Sequence, residues 1–253
     1  MDVENKYGTL QIQRELLILL REFDLFCQSN SINYSVCSGT LLGAVRHQGF
    51  IPWDDDLDCI VDRKSFNQIT SKIDQYPSLC IECASNQSLW INRVRLTESH
   101  SSSSYVPTLD LFVLDNCPDN HIRAKLKLFA IKTLQGMMKS KINIDNVSIL
   151  YKICSIVTFV LGRFFTIKQK YSWYIRISKW GNEKPSKYLK IYNDQYCGLK
   201  VLYPTEIMSG TIRMPFENIT INGLSNYDEY LRLIYGDNYM IPPKDLYRIP
   251  HHL

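Results

Sequence analysis

Apolar and polar residues alternate with different periods in the two halves of the chain. Over 9–27, Ile12, Leu16, Leu19, Leu20, Phe23 and Phe26 recur three or four residues apart, with Arg14, Glu15, Arg21 and Glu22 between them. That spacing gathers the apolar set on one face of a helix. "YSVCS" (34–38) reads as a short strand, "GTLLGAVRH" (39–47) as a short helix opened by small residues, and "LDCIV" (57–61) as a second strand. "KSFNQITSKID" (64–74) reads as a helix closed before Pro77. "SLCIEC" (78–83), "LWINRVRL" (89–96) and "LDLFVL" (109–114) are apolar at period two and read as strands, with the polar run "SHSSSS" (99–104) as a loop between the last two. The expected fold class is α/β (α+β), a mixed sheet of about five strands flanked by helices.

The second half is helical in pattern across 123–179. Within it "ILYKICSIVTFVLGRFF" (149–165) is strongly apolar. Crossing a bilayer takes about 20 apolar residues, whereas Lys152 and Arg163 leave ten uncharged residues between them. A buried or interfacial helix is expected. The tail "YDEYLRLIYGDNYMIPPKDLYRIPHHL" (227–253) predicts a short helix and an extended, proline-ordered end. Three segments follow from these patterns: 1–120 as the catalytic core, 121–192 as a basic, mainly helical segment facing an acceptor or a membrane, and 193–253 as a segment packing back on the core.

Composition excludes a disordered chain, with 45% hydrophobic and 21% charged residues. The opening "MDVENKYGTLQIQ" has neither a basic n-region nor an apolar h-region, so a cytoplasmic location is expected, peripheral at the inner face of the membrane, with the eight cysteines as reduced thiols. Cys80 and Cys83 form one C-x-x-C, and no second pair follows to complete a zinc site, so core thiols are expected. The net charge of +4 hides an asymmetry: 121–182 holds twelve Lys or Arg and one acid, a net +11, which leaves −7 on the remainder. Such a basic block calls for a polyanion or an anionic membrane surface.

The candidate chemistry lies in "SGTLLGAVRHQGFIPWDDDLD" (38–58). A calcium loop starting at Asp54 would need Gly at its sixth position and Glu at its twelfth; the chain has Cys59 and Ser65 there. Asp56 and Asp58 instead stand at the start of a strand, where alternation puts both carboxylates on one face. Such a pair suits Mg2+ or Mn2+, and Asp110, at the head of the apolar strand "LDLFVLD", offers a third carboxylate. Asp54 and Asp55 belong either to the site or to a solvated turn. Ahead of them, Gly39 at the head of the helix lets a phosphate approach the backbone N–H groups, while Ser38, Thr40 and Arg46 can hydrogen-bond it. His47 either contacts phosphate or caps the helix end. Trp53 either stacks on a base or on choline, or wedges the loop. Strand, small-residue turn, helix and Asp-x-Asp on the next strand is the layout of nucleotidyltransferases.

This stretch closely resembles the signature of the LicD phosphotransferases, which are related to fukutin and fukutin-related protein. The likeness continues through "LDLFVLD", "PFENITI" (215–221) and "YDEYLRLIYGDNYMIPP" (227–243), and is weakest over 122–192. The resemblance implies a nucleotidyltransferase-like fold and transfer of phosphocholine from CDP-choline to a hydroxyl of a surface-glycan precursor (teichoic acid, capsule or lipopolysaccharide), with release of CMP. It implies that Asp56, Asp58 and Asp110 bind divalent metal, and these are the expected catalytic residues; the reading of the residues adds Ser38, Gly39, Thr40 and Arg46 as the donor-holding set, with His47, Trp53 and Asp54 as candidates beside them. The expected partners are a CDP-alcohol and a lipid-linked glycan acceptor, with no nucleic acid; the basic block and the apolar run 149–165 add a peripheral contact with an anionic membrane. Ribitol, glycerol or ethanolamine phosphate as cargo, or a catalytically silent glycan- or nucleotide-binding protein, are the alternatives. His251 and His252 are assigned no role beyond a substrate contact.

Overall fold

The computed structural model describes residues 6–82, 90–98, 106–142, 148–194 and 198–250. The serine-rich loop at 99–104, Cys83, His251 and His252 lie outside these described residues. In chain order the elements are α1 (Leu10–Ser29), β1 (Ser35–Val36), α2 (Ser38–His47), β2 (Leu57–Asp62), α3 (Arg63–Lys72), β3 (Leu79–Glu82), β4 (Asn92–Leu96) and β5 (Leu109–Cys117). There follow α4 (His121–Met138), α5 (Ile149–Gly162), α6 (Ile167–Lys179), β6 (Tyr188–Ile191) and β7 (Tyr203–Pro204), then β8 (Thr211–Phe216), β9 (Ile219–Leu224) and α7 (Tyr227–Tyr235). The fold is mixed α/β, as expected from the period changes. Contacts divide it into two compact units: Met1–Glu82, Arg93–Val113 and Glu206–Leu253 form the first, Cys83–Asn92 and Leu114–Thr205 the second.

In the first unit the strand order is β1-β2-β5-β4-β3. β1 runs antiparallel to β2, with Ser35 opposite Ile60, and β3 antiparallel to β4, with Leu79 opposite Leu96. The apolar stripe of α1 faces inward as its spacing requires: Leu16, Leu19, Leu20, Phe23 and Phe26 have no measurable exposure. The polar exception on that helix is Asp24, 5% exposed. Its carboxylate accepts from both terminal nitrogens of Arg213 on β8, at 2.5 and 2.9 Å, and from the Tyr34 hydroxyl at 2.6 Å. Burying that acid is tolerable because every oxygen has a donor.

The β8–β9 hairpin was not foreseen from the periodicity. Pro215 sits inside β8, tolerable in a two-stranded sheet with open edges. Glu217 turns the hairpin with φ +52°. Its N–H donates to Gln48 O at 2.7 Å, and its carboxylate accepts from the Phe50 N–H at 3.0 Å. A Cβ on Gly49 would lie 2.1 Å from that carboxylate oxygen, so a side chain there would push the Glu217 carboxylate off the Phe50 N–H.

In the second unit, α4 packs against α5 and α6, and β5 residues Leu114–Cys117 pair antiparallel with β6, which pairs with β7. Its core includes Trp90, Ile131, Leu134, Tyr174 and Tyr192, with the Trp90 and Tyr174 rings 4.7 Å apart. Two lysines of the basic block are used inside. Lys127 is fully buried, donates to Asn116 O and Trp180 O at 2.8 and 2.9 Å, and lies 4.2 Å from the centroid of the Tyr192 ring. Lys170 donates to Met137 O and Gly162 O, satisfying carbonyls at the ends of α4 and α5. The apolar helix α5 is not a core helix: it buries only Ser155 and Gly162.

Candidate active site

The head of α2 is shaped by its first residues. Cys37 leaves β1 in extended conformation, and its N–H donates to Asp58 O at 2.9 Å. Ser38 then adopts φ +48°, a left-handed value uncommon for a residue with a side chain. Its N–H points to the Tyr230 hydroxyl at 3.3 Å. Gly39 follows, and a Cβ there would stand 2.8 Å from Asp54 Oδ2. The glycine therefore admits the Asp54 carboxylate against the helix N-terminus. Thr40 is buried; its hydroxyl accepts from the Asp58 N–H at 2.9 Å and ties α2 to β2.

The loop carrying the aspartates is tied to α1. Thr9 Oγ1 donates to Pro52 O at 2.7 Å, and Gln13 Nε2 donates to Ile51 O and Asp54 O at 3.1 and 2.8 Å. Asp55 is fully buried, which overturns a solvated turn for it. Along β2, Leu57 and Cys59 are buried while Asp58 is half-buried, so Asp56 and Asp58 share a face as alternation predicts. Asp54, Asp56 and Asp58 all line one cavity of about 440 Å3, together with Ser38, Gly39, Arg46 and Trp53. Burial, then the charge of the neighbouring Asp56, pushes Asp54 up to about 8.

Asp110 sits on β5, next to β2 in the sheet, but is not among the cavity-lining residues. It pairs with Arg93 of β4, Nε to Oδ1 2.8 Å. Among the described residues, no three His, Cys, Asp or Glu side chains form a cage for a metal ion. Magnesium does not require one, because it is commonly held by one or two carboxylates plus substrate phosphates and water. The side chains fit that mode: hard carboxylate oxygens crowd one cavity, and their mutual repulsion is what a divalent cation relieves.

Arg46 lines the cavity and is held from two sides. Its Nη1 donates to Tyr239 O at 2.9 Å and its Nε to His47 Nε2 at 3.0 Å. Burial, then the Arg46 charge, lowers the His47 pKa, which keeps the ring a neutral acceptor. Trp53 is wedged among neighbours: the Arg248 guanidinium lies 5.1 Å from its centroid, with Tyr7 and His47 edge-on at 5.8 and 6.5 Å.

Sequence reasoning missed the rest of the cavity wall. Tyr235, at the end of α7, and Asn238 and Tyr239 beyond it line the same cavity. Tyr235 keeps 43% of its surface exposed, yet its phenol is pushed up, first by the protein packed around it and then by the charges of Asp58 and Asp54. The available signal was the motif "IYGDNYMIPP", whose spacing names no chemistry until α7 is folded against α2.

The chain is 26% identical over 272 aligned residues, 96% of its own length and 97% of the relative's, to the "Lipopolysaccharide cholinephosphotransferase LicD" of Haemophilus influenzae. An uncharacterized protein of Rickettsia typhi is 47% identical over 60 residues, 22% of this chain and 19% of that one. Another from Rickettsia prowazekii is 58% identical over 40 residues, 16% and 15% of the two chains. The family model described as LicD/FKTN/FKRP, nucleotidyltransferase domain, matches residues 31–144, the span that contains α2, the aspartate loop, β2 and β5. Residues 31–144 are thus similar to the nucleotidyltransferase domain of the LicD/FKTN/FKRP family.

Proposed function

We propose that the chain is a LicD-type cholinephosphotransferase that moves phosphocholine from CDP-choline to a hydroxyl of a lipopolysaccharide precursor and releases CMP. The observation that carries this reading is the shared cavity of Asp54, Asp56 and Asp58 with the head of α2 and Arg46. Groups suited to phosphate and carboxylates suited to a divalent cation thus line one cavity, inside a segment similar to a family whose Haemophilus influenzae member bears that activity in its name.

In this reading the phosphates of the donor lie at the N–H groups opening α2 and at Arg46. The acceptor oxygen attacks the β-phosphorus, the bond from that phosphorus to the bridging oxygen breaks, and CMP leaves with the bridging oxygen. A carboxylate of the aspartate set takes the proton of the attacking hydroxyl. Asp56 and Asp58, with Asp110 on the neighbouring strand as the third candidate ligand, would hold magnesium or manganese, which would neutralise the phosphate charge. Tyr235 and Trp53 place aromatic surface beside the carboxylates, surroundings that suit a trimethylammonium group. A nucleotide-activated donor of this kind is a cytoplasmic metabolite, which sets the reaction on that side of the membrane.

The test is product analysis with purified protein, CDP-choline, a lipopolysaccharide acceptor and Mg2+. Acceptor-dependent CMP with choline phosphate on the glycan is expected. Pyrophosphate in place of CMP, or nucleotide binding by calorimetry without turnover on any acceptor, overturns the proposal. Thermal stabilisation by CDP-ribitol, CDP-glycerol or CDP-ethanolamine in preference to CDP-choline would reassign the cargo.

A further inference from the structure

Helix α5 is built inside out. The residues it buries are Ser155 and Gly162, seven positions apart on one face. Facing them on α4 is Gly136, where an added Cβ would lie 2.3 Å from Thr158 Oγ1. At Gly162 a Cβ would lie 2.1 Å from Met137 O. The large apolar side chains point the other way: Ile149 and Leu150 are 76% and 73% exposed, Ile153 54%, and Val157 and Val160 each 49%. The corner into α6 adds Phe164, 76% exposed. A water-facing helix of a globular protein shows the reverse arrangement. Small residues at the helix contact with branched aliphatics outside is the arrangement of helices whose outer solvent is hydrocarbon.

The surroundings specify which hydrocarbon surface. Ten of the twelve cations in 121–182 are not buried. Arg163 stands beside the apolar face with its guanidinium 4.1 Å from the Phe159 centroid. Lys168, Arg176 and Lys179 are exposed on α6, which departs from α5 at a bend of 117°. A second copy of this surface would bring like charges together, whereas an anionic lipid surface meets both the charge and the apolar area. Fourteen residues make a helix of about 21 Å, short of the roughly 30 Å hydrocarbon core. No single helix among the described residues is long and apolar enough to cross a membrane.

We infer that α5 and the α5–α6 corner dock in the plane of an anionic bilayer, apolar face in the acyl boundary and α6 cations at the headgroups. This inference stands on the second unit alone and is independent of the transfer reaction. Flotation of the full chain with vesicles of phosphatidylcholine, with or without phosphatidylglycerol, tests it at low and high salt. The chain should float with the phosphatidylglycerol vesicles and lose most of that binding at high salt. The double variant Ile153→Glu with Val157→Glu should weaken vesicle binding by about tenfold or more, with the circular dichroism spectrum and the release of CMP from soluble donor unchanged. If that variant misfolds, Lys168→Glu with Lys179→Glu, both on the exposed side of α6, replaces it with the same expected loss. Absence of flotation, flotation unchanged by the substitutions, or a stable dimer in solution that the substitutions dissociate would each overturn the inference.

Discussion

Helices α1 and α5 both carry apolar residues at helical spacing, yet they use them in opposite ways. α1 turns Leu16, Leu19, Leu20, Phe23 and Phe26 into the first unit, where they have no exposure. α5 turns Ser155 and Gly162 inward and leaves Ile153, Val157 and Val160 outside. The difference teaches that amphipathic spacing identifies a helix but not the medium its apolar face meets. On α1 the polar face carries charges of both signs, so water is its natural neighbour. On α5 nearly every face is apolar, and the helix was always going to leave some of them uncovered.

The largest effect that would sharpen this contrast lies in the one buried charge of α1. Asp24→Ala takes the carboxylate from Arg213, which keeps Asn222 and Thr220 as acceptors, and leaves the buried Tyr34 hydroxyl without its acceptor, and should cost about 3–5 kcal/mol of unfolding free energy in a denaturant titration. A cost below ~1 kcal/mol would show that the network is not what anchors α1 to β8. The direct comparison comes next. Leu20→Ala should cost about 2–5 kcal/mol because it leaves a cavity in the first unit. Val157→Ala should stay within roughly 0.5 kcal/mol in solution, because 49% of Val157 is already exposed in the folded chain. Equal costs in matched melts would erase the inside-out description of α5.

A third effect separates the site from both helices. On the proposed mechanism, Asp58→Asn should reduce choline-phosphate transfer by about a hundredfold or more while the melting temperature holds, because it removes a carboxylate proposed to hold the cation that neutralises the donor phosphates. Asp110→Asn, assayed beside it, asks whether the Arg93-paired carboxylate belongs to the same set. Near-normal turnover of both folded variants would remove the metal assignment.

The smallest effect is a pH dependence at His47. Its folded-state pKa lies below the unfolded 6.5, so the folded protein binds fewer protons in that window. Stability from the neutral ring is complete above pH 6.5 and is lost as pH falls through 6.5 toward the folded value. The wild type should lose slightly more stability than His47→Asn between neutral and mildly acidic pH, and parallel curves would reject the assignment.

Much of the candidate site was legible because its signals are local. Period-two alternation puts Asp56 and Asp58 on one face of β2 whatever surrounds them, and a glycine at the head of α2 marks a close approach, which turned out to be that of Asp54. Asp55 was left between the site and a solvated turn because burial is not a local property: nothing in the aspartate run marks it as buried until Gln13 and Thr9 draw the loop onto α1. Hairpin β8–β9 went unseen because its turn residue, Glu217, is no turn former by itself and holds its left-handed conformation through bonds to Gln48 and Phe50.

By itself the sequence determined the helices and strands from α1 to β5, the placing of Asp56 and Asp58 on one side of the strand start, the small-residue turn before them and the basic character of 121–182. Only the tertiary structure decided that Tyr235, Asn238 and Tyr239 close the cavity, that Asp110 is met by Arg93, that Lys127 and Lys170 are spent on backbone carbonyls, and that α5 shows its apolar face outward. The physical reason is range. Periodicity and turn chemistry act over a few residues, whereas the bond from Arg46 to Tyr239 joins positions 193 apart, and a contact at that distance leaves no repeat in the chain to read.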